Sequence, residues 1–463
     1  MLRECVPSRA GILPASESAP KFPKRGKLEA CPTLGNWLVI HSFRACRKIN
    51  FWVEQATGLS RRASNPPDFS AASCRQKRAG SPFHPFIRHA LLFALFALCL
   101  VGSPGSTRGD LSKDELWKRL APFFSPPASL ANDLGSYSSP LKFYDGRPVR
   151  TNEEWLDRRQ EILGKWTELM GAWPPVLERP RIEYLDQEKR ENFVQHRVRL
   201  EIAANQFEEA YLLVPDGNGP FPAVVVPYYE PKSSIGKGQE LRDFGYQLAK
   251  RGFVSLNIGS PGGTAREPVT GEAVCQPLSF LAYVAANCWN ALANLPNVDR
   301  QRIGIVGHSY GGKWAMFASC LYEKFACAAW SDGGIVFDEA RPNVNYWEPW
   351  YLGQDRNVKR KPGVPSPDNP RTGAYKRMIE TGRDLHELHA LMAPRPFLVS
   401  GGSEDRPQRW IALNHAVAVN QFLGHTNRVA MTNREGHTPT PESNEQIYLF
   451  FEYFLKHVEP NRR

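Results

Sequence analysis

The segment 302–318 constrains the fold of this chain more than any other. It reads RIGIVGHSYGGKWAMFA, which is a short apolar strand, then Gly307-His308-Ser309-Tyr310-Gly311, then a run typical of a buried helix. A serine with glycine two residues away on each side is typical of a sharp strand-to-helix turn, because only small neighbours fit beside it. Such a turn holds the hydroxyl out of the sheet. The pattern therefore predicts that Ser309 is a nucleophile.

The rest of the chain repeats the order of strand and helix. Such alternation predicts a mostly parallel sheet with helices on both faces. Apolar and β-branched runs indicate strands over 194–202, 209–214, 223–226, 253–258, 303–306, 396–400 and 428–432. Helical spacing indicates helices over 111–120, 152–169, 239–251 and 278–293, and one that begins after Ser309.

A serine nucleophile needs a base and an acid, which follow it in chain order in folds of this kind. The strand 396–400 runs into the loop Gly-Gly-Ser-Glu-Asp, where Asp405 is the favoured carboxylate and Glu404 the alternative. His437 follows a glycine in the loop after the last predicted strand. One ring nitrogen of such a histidine would reach the serine and the other would bond the acid. We therefore predict a triad of Ser309, Asp405 and His437.

The negative oxygen formed on attack needs two backbone N–H donors. The first predicted donor is Tyr310, at the start of the helix that follows Ser309. The second is expected from the loop after strand 223–226, at Tyr229 or Glu230.

With these residues in place, the stretch 194–456 resembles the secreted carbohydrate-esterase and dienelactone-hydrolase-like branches of the α/β-hydrolases, particularly acetyl xylan esterases and glucuronoyl esterases. The resemblance rests on GPFPAVVV before the second donor loop, on Lys313 four residues after the serine, and on WSDGG followed by NYWEPWYLG. It implies the α/β-hydrolase fold and a sugar-binding role for Lys313. Tyr310 stands where glucuronoyl esterases have arginine. Related enzymes sometimes place the acid at the position of Asp332, which is a further alternative.

The region 338–388 is expected to be an insertion that roofs the substrate. Its aromatic side chains offer flat faces of the kind that stack on sugar rings. The tryptophan of the preceding WSDGG motif offers another. A small core beneath a long loop is the alternative interpretation. The residues concerned are Trp330, Tyr346, Trp347, Trp350 and Tyr351.

The net charge of +11 does not indicate a nucleic-acid partner, because it belongs to one end of the chain. Residues 1–88 hold 15 of the 58 basic residues and 5 of the 47 acidic ones, which leaves a nearly neutral body. No CxxC pair is present, so no thiolate metal site is expected, and the predicted chemistry needs no cofactor. Four body cysteines, at positions 275, 288, 320 and 327, could be buried thiols or form one disulfide.

The first 106 residues are predicted to be no part of the folded body. Residues 1–83 form a basic leader without regular periodicity. Residues 84–106 have a basic flank, about a dozen apolar residues and then small ones, which is typical of a signal peptide. Because a signal peptide should begin near the initiator methionine, and this one begins only at residue 84, we expect translation to start downstream of Met1. We expect export to the periplasm or medium, with a mature end between 102 and 110. An uncleaved membrane anchor is the alternative.

The body is predicted to comprise a helical lead-in over 107–190 and a catalytic domain over 191–463. The expected activity is hydrolysis of carboxylic esters, of carbohydrate-linked acetyl or uronate groups, through an acyl-enzyme on Ser309. One alternative is a serine peptidase like prolyl oligopeptidase, although its N-terminal propeller does not fit the space before the first strand. The other is an inactive binding protein of the same fold.

Overall fold

A computed structural model describes residues 111–459, and the predicted leader and signal segment lie outside them. Nine strands form one sheet in the order β1-β2-β3-β5-β4-β6-β7-β8-β9. Antiparallel pairing joins β1, β2, β3 and β5, and every pair from β5 through β4 to β9 is parallel. The strands are β1 (Ile182–Lys189), β2 (Phe193–Ala203), β3 (Gln206–Pro215), β4 (Phe221–Pro227), β5 (Val254–Ile258), β6 (Val298–His308), β7 (Cys327–Ser331), β8 (Phe397–Gly401) and β9 (Val429–Asn433).

Helices occupy the connections, as the alternating pattern predicts. They are α1 (Lys113–Leu120), α2 (Asn152–Met170), α3 (Pro231–Ser234), α4 (Phe244–Lys250), α5 (Pro277–Ala293), α6 (Tyr310–Leu321), α7 (Gly373–Glu380), α8 (His386–Ala390), α9 (Trp410–Phe422) and α10 (Pro441–Glu452). The predicted helix 239–251 is shorter than expected, because Leu241 has a φ of +60° and the chain turns there. No helix among residues 111–459 combines the length and apolar character that a membrane span requires.

The sheet separates two large hydrophobic cores, one on each face, and a third, smaller cluster lies beside β2 and β3. Alternate residues of β4 belong to different cores: Ala223 and Val225 pack with α2, α5 and α6, whereas Val224 and Val226 pack with α1, α4 and α10. Burial of a strand on both faces explains why β4 reads as a continuous apolar run. The four body cysteines are buried free thiols in this structure.

The register of the parallel strands places their carboxyl ends in one row. His308 of β6 lies beside Ser331 of β7, Ser331 lies beside Ser400 of β8, and Ser400 lies beside Thr432 of β9. The loops that leave these four strands therefore emerge side by side. Ligand sites of open parallel sheets form at this edge.

Candidate active site

Ser309 occupies the tight turn between β6 and α6. Its φ of +55° is an unfavourable conformation for a residue with a side chain. The turn also brings backbones together, because a Cβ on Gly307 would lie 2.2 Å from the Gly311 oxygen, and one on Gly311 would lie 2.2 Å from the Pro227 oxygen. The two glycines of the motif are thus required by close packing, and the packing fixes the direction of the serine side chain.

His437 reaches Ser309 from the loop after β9. Its Nε2 lies 2.8 Å from Ser309 Oγ, and its Nδ1 lies 2.6 Å from Asp332 Oδ2. The histidine side chain is 31% exposed, whereas the Asp332 carboxylate is fully buried. The imidazole therefore joins a solvent-accessible hydroxyl to an enclosed carboxylate.

Asp332 follows β7 and is held in a backbone cradle. Its φ is +49°, which turns the chain sharply at the strand end. Its Oδ1 accepts hydrogen bonds from the N–H groups of Gly402, Glu404 and Asp405, at 2.7, 3.1 and 2.8 Å. A buried carboxylate is costly unless it is hydrogen-bonded, and these three donors satisfy one oxygen while His437 bonds the other.

The predicted acid, Asp405, does not contact His437. Its carboxylate accepts the N–H groups of Gly334 and Ile335, at 2.9 and 2.7 Å, and so fastens the loop that follows Asp332. Burial, and then repulsion by Asp332, raise the pKa of Asp405 to about 6. The structure corrects the prediction on this point, because the carboxylate bonded to His437 comes from the loop after β7.

Glu404 also lies away from His437. Its side chain accepts hydrogen bonds from Ser403 Oγ at 2.8 Å and Asn343 Nδ2 at 3.3 Å, and only its backbone N–H bonds Asp332. Both acids of the β8 loop are therefore buried, and neither side chain contacts His437.

His308 precedes the serine, and its buried ring packs between Ser331 and His437. Its Nδ1 lies 3.1 Å from Ser331 Oγ, and its ring centroid is 4.7 Å from that of His437. Burial, followed by the repulsion of a charged His437, lowers the pKa of His308 well below its usual value. It therefore stays neutral near neutral pH.

Tyr310 and Tyr229 line the other side of the serine. As the first residue of α6, Tyr310 has an N–H with no acceptor inside the helix. The Tyr229 ring stacks on that of Tyr310 at 4.8 Å between centroids. Burial raises the pKa of the Tyr229 hydroxyl, while a hydrogen bond with Ser309 lowers it, so the two hydroxyls are neighbours. The role of the Tyr310 and Tyr229 N–H groups as oxyanion donors remains a prediction.

The Glu230 side chain serves a structural purpose. Its carboxylate accepts the Ser233 N–H at 3.2 Å and the Ser233 hydroxyl, and so caps the short helix α3. Only its backbone N–H is left as a candidate donor toward Ser309.

Arg434, which the sequence reasoning did not single out, ties the histidine loop to the strand ends. Its guanidinium donates to the carbonyls of His437, Thr438 and Ser400, at 2.7, 3.0 and 2.9 Å, and to the Ser331 hydroxyl at 3.3 Å. A planar group with five donors suits this bridge better than a lysine ammonium. The sequence feature that could have identified Arg434 is its position three residues before His437.

We expect Arg434→Met to lower kcat by about 10- to 100-fold with little change in KM, because loss of the bridge displaces His437 by a fraction of an ångström. Steady-state hydrolysis of 4-nitrophenyl acetate measures both constants. Added guanidinium ion should restore part of kcat. Arg428→Met, at the amino end of β9, is the control. Its kcat should be unchanged, and guanidinium ion should have no effect on it. Equal losses in both variants would contradict a positioning role for Arg434.

Lys313 does not face a bound sugar as the resemblance implied. It is fully buried, and its Nζ donates to the carbonyls of Gly333 and Asn343 at 2.7 and 3.1 Å. Burial lowers the pKa of this ammonium to about 8, against the opposing effect of Asp405. The lysine therefore holds the loop after Asp332 in place.

Most of the predicted substrate aromatics belong to the core. Trp330 stacks on Phe397 at 4.5 Å, and Tyr346 and Trp347 are also buried. Tyr351 is buried with its ring 6.2 Å from that of Tyr310, and Trp350, next to it, is half-buried. Four of the five side chains thus belong to the large core on one face of the sheet and Trp350 packs against it, so they form neither an open sugar platform nor a separate small core, and Tyr351 is the one whose ring neighbours Tyr310.

Comparison with known proteins agrees with this architecture. Residues 181–339 match the family described as "Esterase FrsA-like". No curated protein matches the sequence. A glucuronoyl esterase from Solibacter usitatus superimposes with a TM-score of 0.54 and 17% identity, over 70% of this chain and 99% of that chain.

Two further solved structures have the same fold. A CE15 glucuronoyl esterase from Teredinibacter turnerae T7901 gives a TM-score of 0.52 and 18% identity, over 70% of this chain and 90% of its own. A promiscuous CE15 esterase from a marine bacterial metagenome gives 0.52 and 16%, over 69% and 98%. Identities this low establish the fold alone, which is that of the α/β-hydrolases.

Proposed function

From the premise that this chain carries an FrsA-like esterase domain on an α/β-hydrolase fold, we propose that it hydrolyses carboxylic esters through an acyl-enzyme on Ser309. One observation carries the proposal, which is the continuous hydrogen-bonded path from Ser309 Oγ through His437 to Asp332. A neutral serine hydroxyl alone is a weak nucleophile. A histidine base that is oriented by a carboxylate activates it by removing its proton.

The proposed reaction has two halves. In the first, His437 Nε2 takes the hydroxyl proton while Ser309 Oγ attacks the ester carbonyl, and the same nitrogen then gives that proton to the departing alcohol. In the second, water loses a proton to His437 as its oxygen attacks the acyl carbon; the bond to Ser309 Oγ then breaks, His437 returns the proton to that oxygen, and the acid is released. Asp332 accepts the hydrogen bond of His437 Nδ1–H throughout, so that Nε2 is the basic nitrogen, and stabilises the imidazolium that forms.

The proposed substrates are esters attached to carbohydrate, either acetyl or uronate. Support comes from Tyr229, which neighbours Ser309 and is 41% exposed, because sugar rings stack on such flat faces. Half-buried Trp350 lies farther off, beyond Tyr351 and Tyr310. The structural neighbours that are described as glucuronoyl esterases are consistent with this substrate class. The buried Lys313 gives it no support.

A substrate panel tests the proposal. Full-length protein should hydrolyse 4-nitrophenyl acetate, and acetylated xylan or methyl glucuronates should be cleaved with a higher kcat/KM. Aminoacyl amides should be cleaved at least a hundredfold more slowly if the protein is an esterase and not a peptidase. Efficient amide cleavage would show that the protein is a peptidase and not an esterase. Inactivity on all substrates would favour the interpretation as a binding protein of this fold.

A further inference from the structure

Arg434 and Arg242 bond the loop that carries His437, and Lys313 bonds the loop after Asp332, but the three cations differ in how their donors are used. The Arg434 guanidinium is engaged by backbone carbonyls and hydroxyls, and the Lys313 ammonium by two carbonyls. Arg242, in the bend before α4, is different. Like Arg434 and Lys313, it belongs to no ion pair within the described part of the chain, but fewer of its donors are engaged than those of Arg434.

Arg242 reaches toward the residue that follows His437. Its Nη2 lies 3.4 Å from Thr438 Oγ1, a long hydrogen bond, and its Nη1 donates to the Glu240 carbonyl at 3.0 Å. Its Nε is buried and has no hydrogen-bond partner among the described residues. The charge of Arg242 acts on the active site electrostatically. After burial, it is one of the charges that lower the pKa of His308.

A half-buried guanidinium with a free face of donors can bind a further anionic partner, and a carboxylate is the group that matches its planar fork of donors. The position of Arg242 indicates which part of an ester would carry that carboxylate. His437 must protonate the departing alcohol oxygen, so the alcohol leaves on the histidine side of Ser309. Arg242 lies on that side through its contact with Thr438.

We propose that the preferred substrates are esters whose alcohol part carries a carboxylate, such as an acetylated acidic sugar, and that Arg242 binds this carboxylate. The proposal rests on the proposed function and names the substrate class of the same site. Lys313 cannot serve because it is fully buried, and Arg434 cannot because all three of its guanidinium nitrogens already donate to protein oxygens. Arg266 is the rival cation, since it lies 5.7 Å from the Trp350 ring, on the Tyr229 side of the serine.

Two acetate esters with similar leaving phenols separate these possibilities. 3-Acetoxybenzoate carries a carboxylate on the alcohol part, and its methyl ester is the neutral partner. We expect full-length protein to favour the charged ester in kcat/KM by about 10- to 100-fold, the range of a charge-assisted hydrogen bond, mainly through KM. Raising the salt concentration should reduce the ratio.

The variant Arg242→Gln should bring the ratio to about one, and Arg242→Lys should retain part of it. Arg300→Gln, at the amino end of β6, is the charge-matched control and should leave the ratio unchanged. Equal use of both esters by the unaltered protein, equal loss on both esters in Arg242→Gln, or loss of the ratio in Arg266→Gln alone would each overturn the assignment.

The same experiment separates failure of this inference from failure of the proposed function. If the neutral ester is hydrolysed but the charged one has no advantage, the esterase stands and only the Arg242 inference is lost. If neither ester is hydrolysed and 4-nitrophenyl acetate is not a substrate, the proposed function itself is wrong. A phenyl hemiglutarate, with the carboxylate on the acyl part, should show no dependence on Arg242; if it does, the alcohol-side assignment is overturned.

Discussion

Replacing Ser309 with alanine is expected to lower kcat for ester hydrolysis by about 10⁵- to 10⁶-fold, the loss seen when a triad nucleophile is removed. The substitution deletes one oxygen and leaves His437 bonded to Asp332. Steady-state hydrolysis of 4-nitrophenyl acetate measures the loss. A fluorophosphonate probe, which forms a covalent bond with an activated serine, should label the unaltered protein and not the variant.

The matched control for this variant is Ser136→Ala, at an exposed serine outside the strands and helices. It should keep full activity and full labelling. Thermal melting of both variants should stay within a few degrees of the unaltered protein, because neither change removes buried apolar volume. Persistent labelling of Ser309→Ala would show that the reactive serine lies elsewhere, and the acyl-enzyme proposal would fail with it.

The second large effect is expected at Asp332. Asp332→Asn should lower kcat by about 10⁴-fold, because an amide no longer fixes the imidazole tautomer or stabilises the imidazolium. The amide nitrogen would also meet either the cradle of three N–H donors or the Nδ1–H of His437. Steady-state hydrolysis of 4-nitrophenyl acetate measures the loss.

Asp405→Asn is the informative comparison, because both aspartates are fully buried and their loops are hydrogen-bonded to each other. Asp405 bonds Gly334 and Ile335 and not the histidine, so its replacement should lower the melting temperature more than kcat. We expect kcat to stay within about tenfold where the variant is folded. Glu404→Gln should remain within a few-fold. A greater kcat loss in Asp405→Asn than in Asp332→Asn would restore the acid to the β8 loop.

The sequence alone determined the nucleophile turn and the order of the elements, because both are local properties. Ser309 was identifiable since strand, glycines and helix are contiguous, and the strained turn permits few other sequences there. The parallel sheet followed from alternating apolar runs, each of which is read within a dozen residues. His437 was proposed from chain order after the last strand, and the structure places it 2.8 Å from Ser309.

Tertiary structure alone decided which carboxylate bonds His437. The ends of β7 and β8 lie side by side, so Asp332 and Asp405 emerge within one hydrogen bond of each other although 73 positions separate them. Local sequence makes both plausible, and only the direction of each side chain distinguishes them. Tertiary structure also decided that Lys313 and Trp330 are buried and do not face a ligand. The charge of one and the aromatic ring of the other do not reveal this in the sequence. Their burial depends on packing partners far away in the chain.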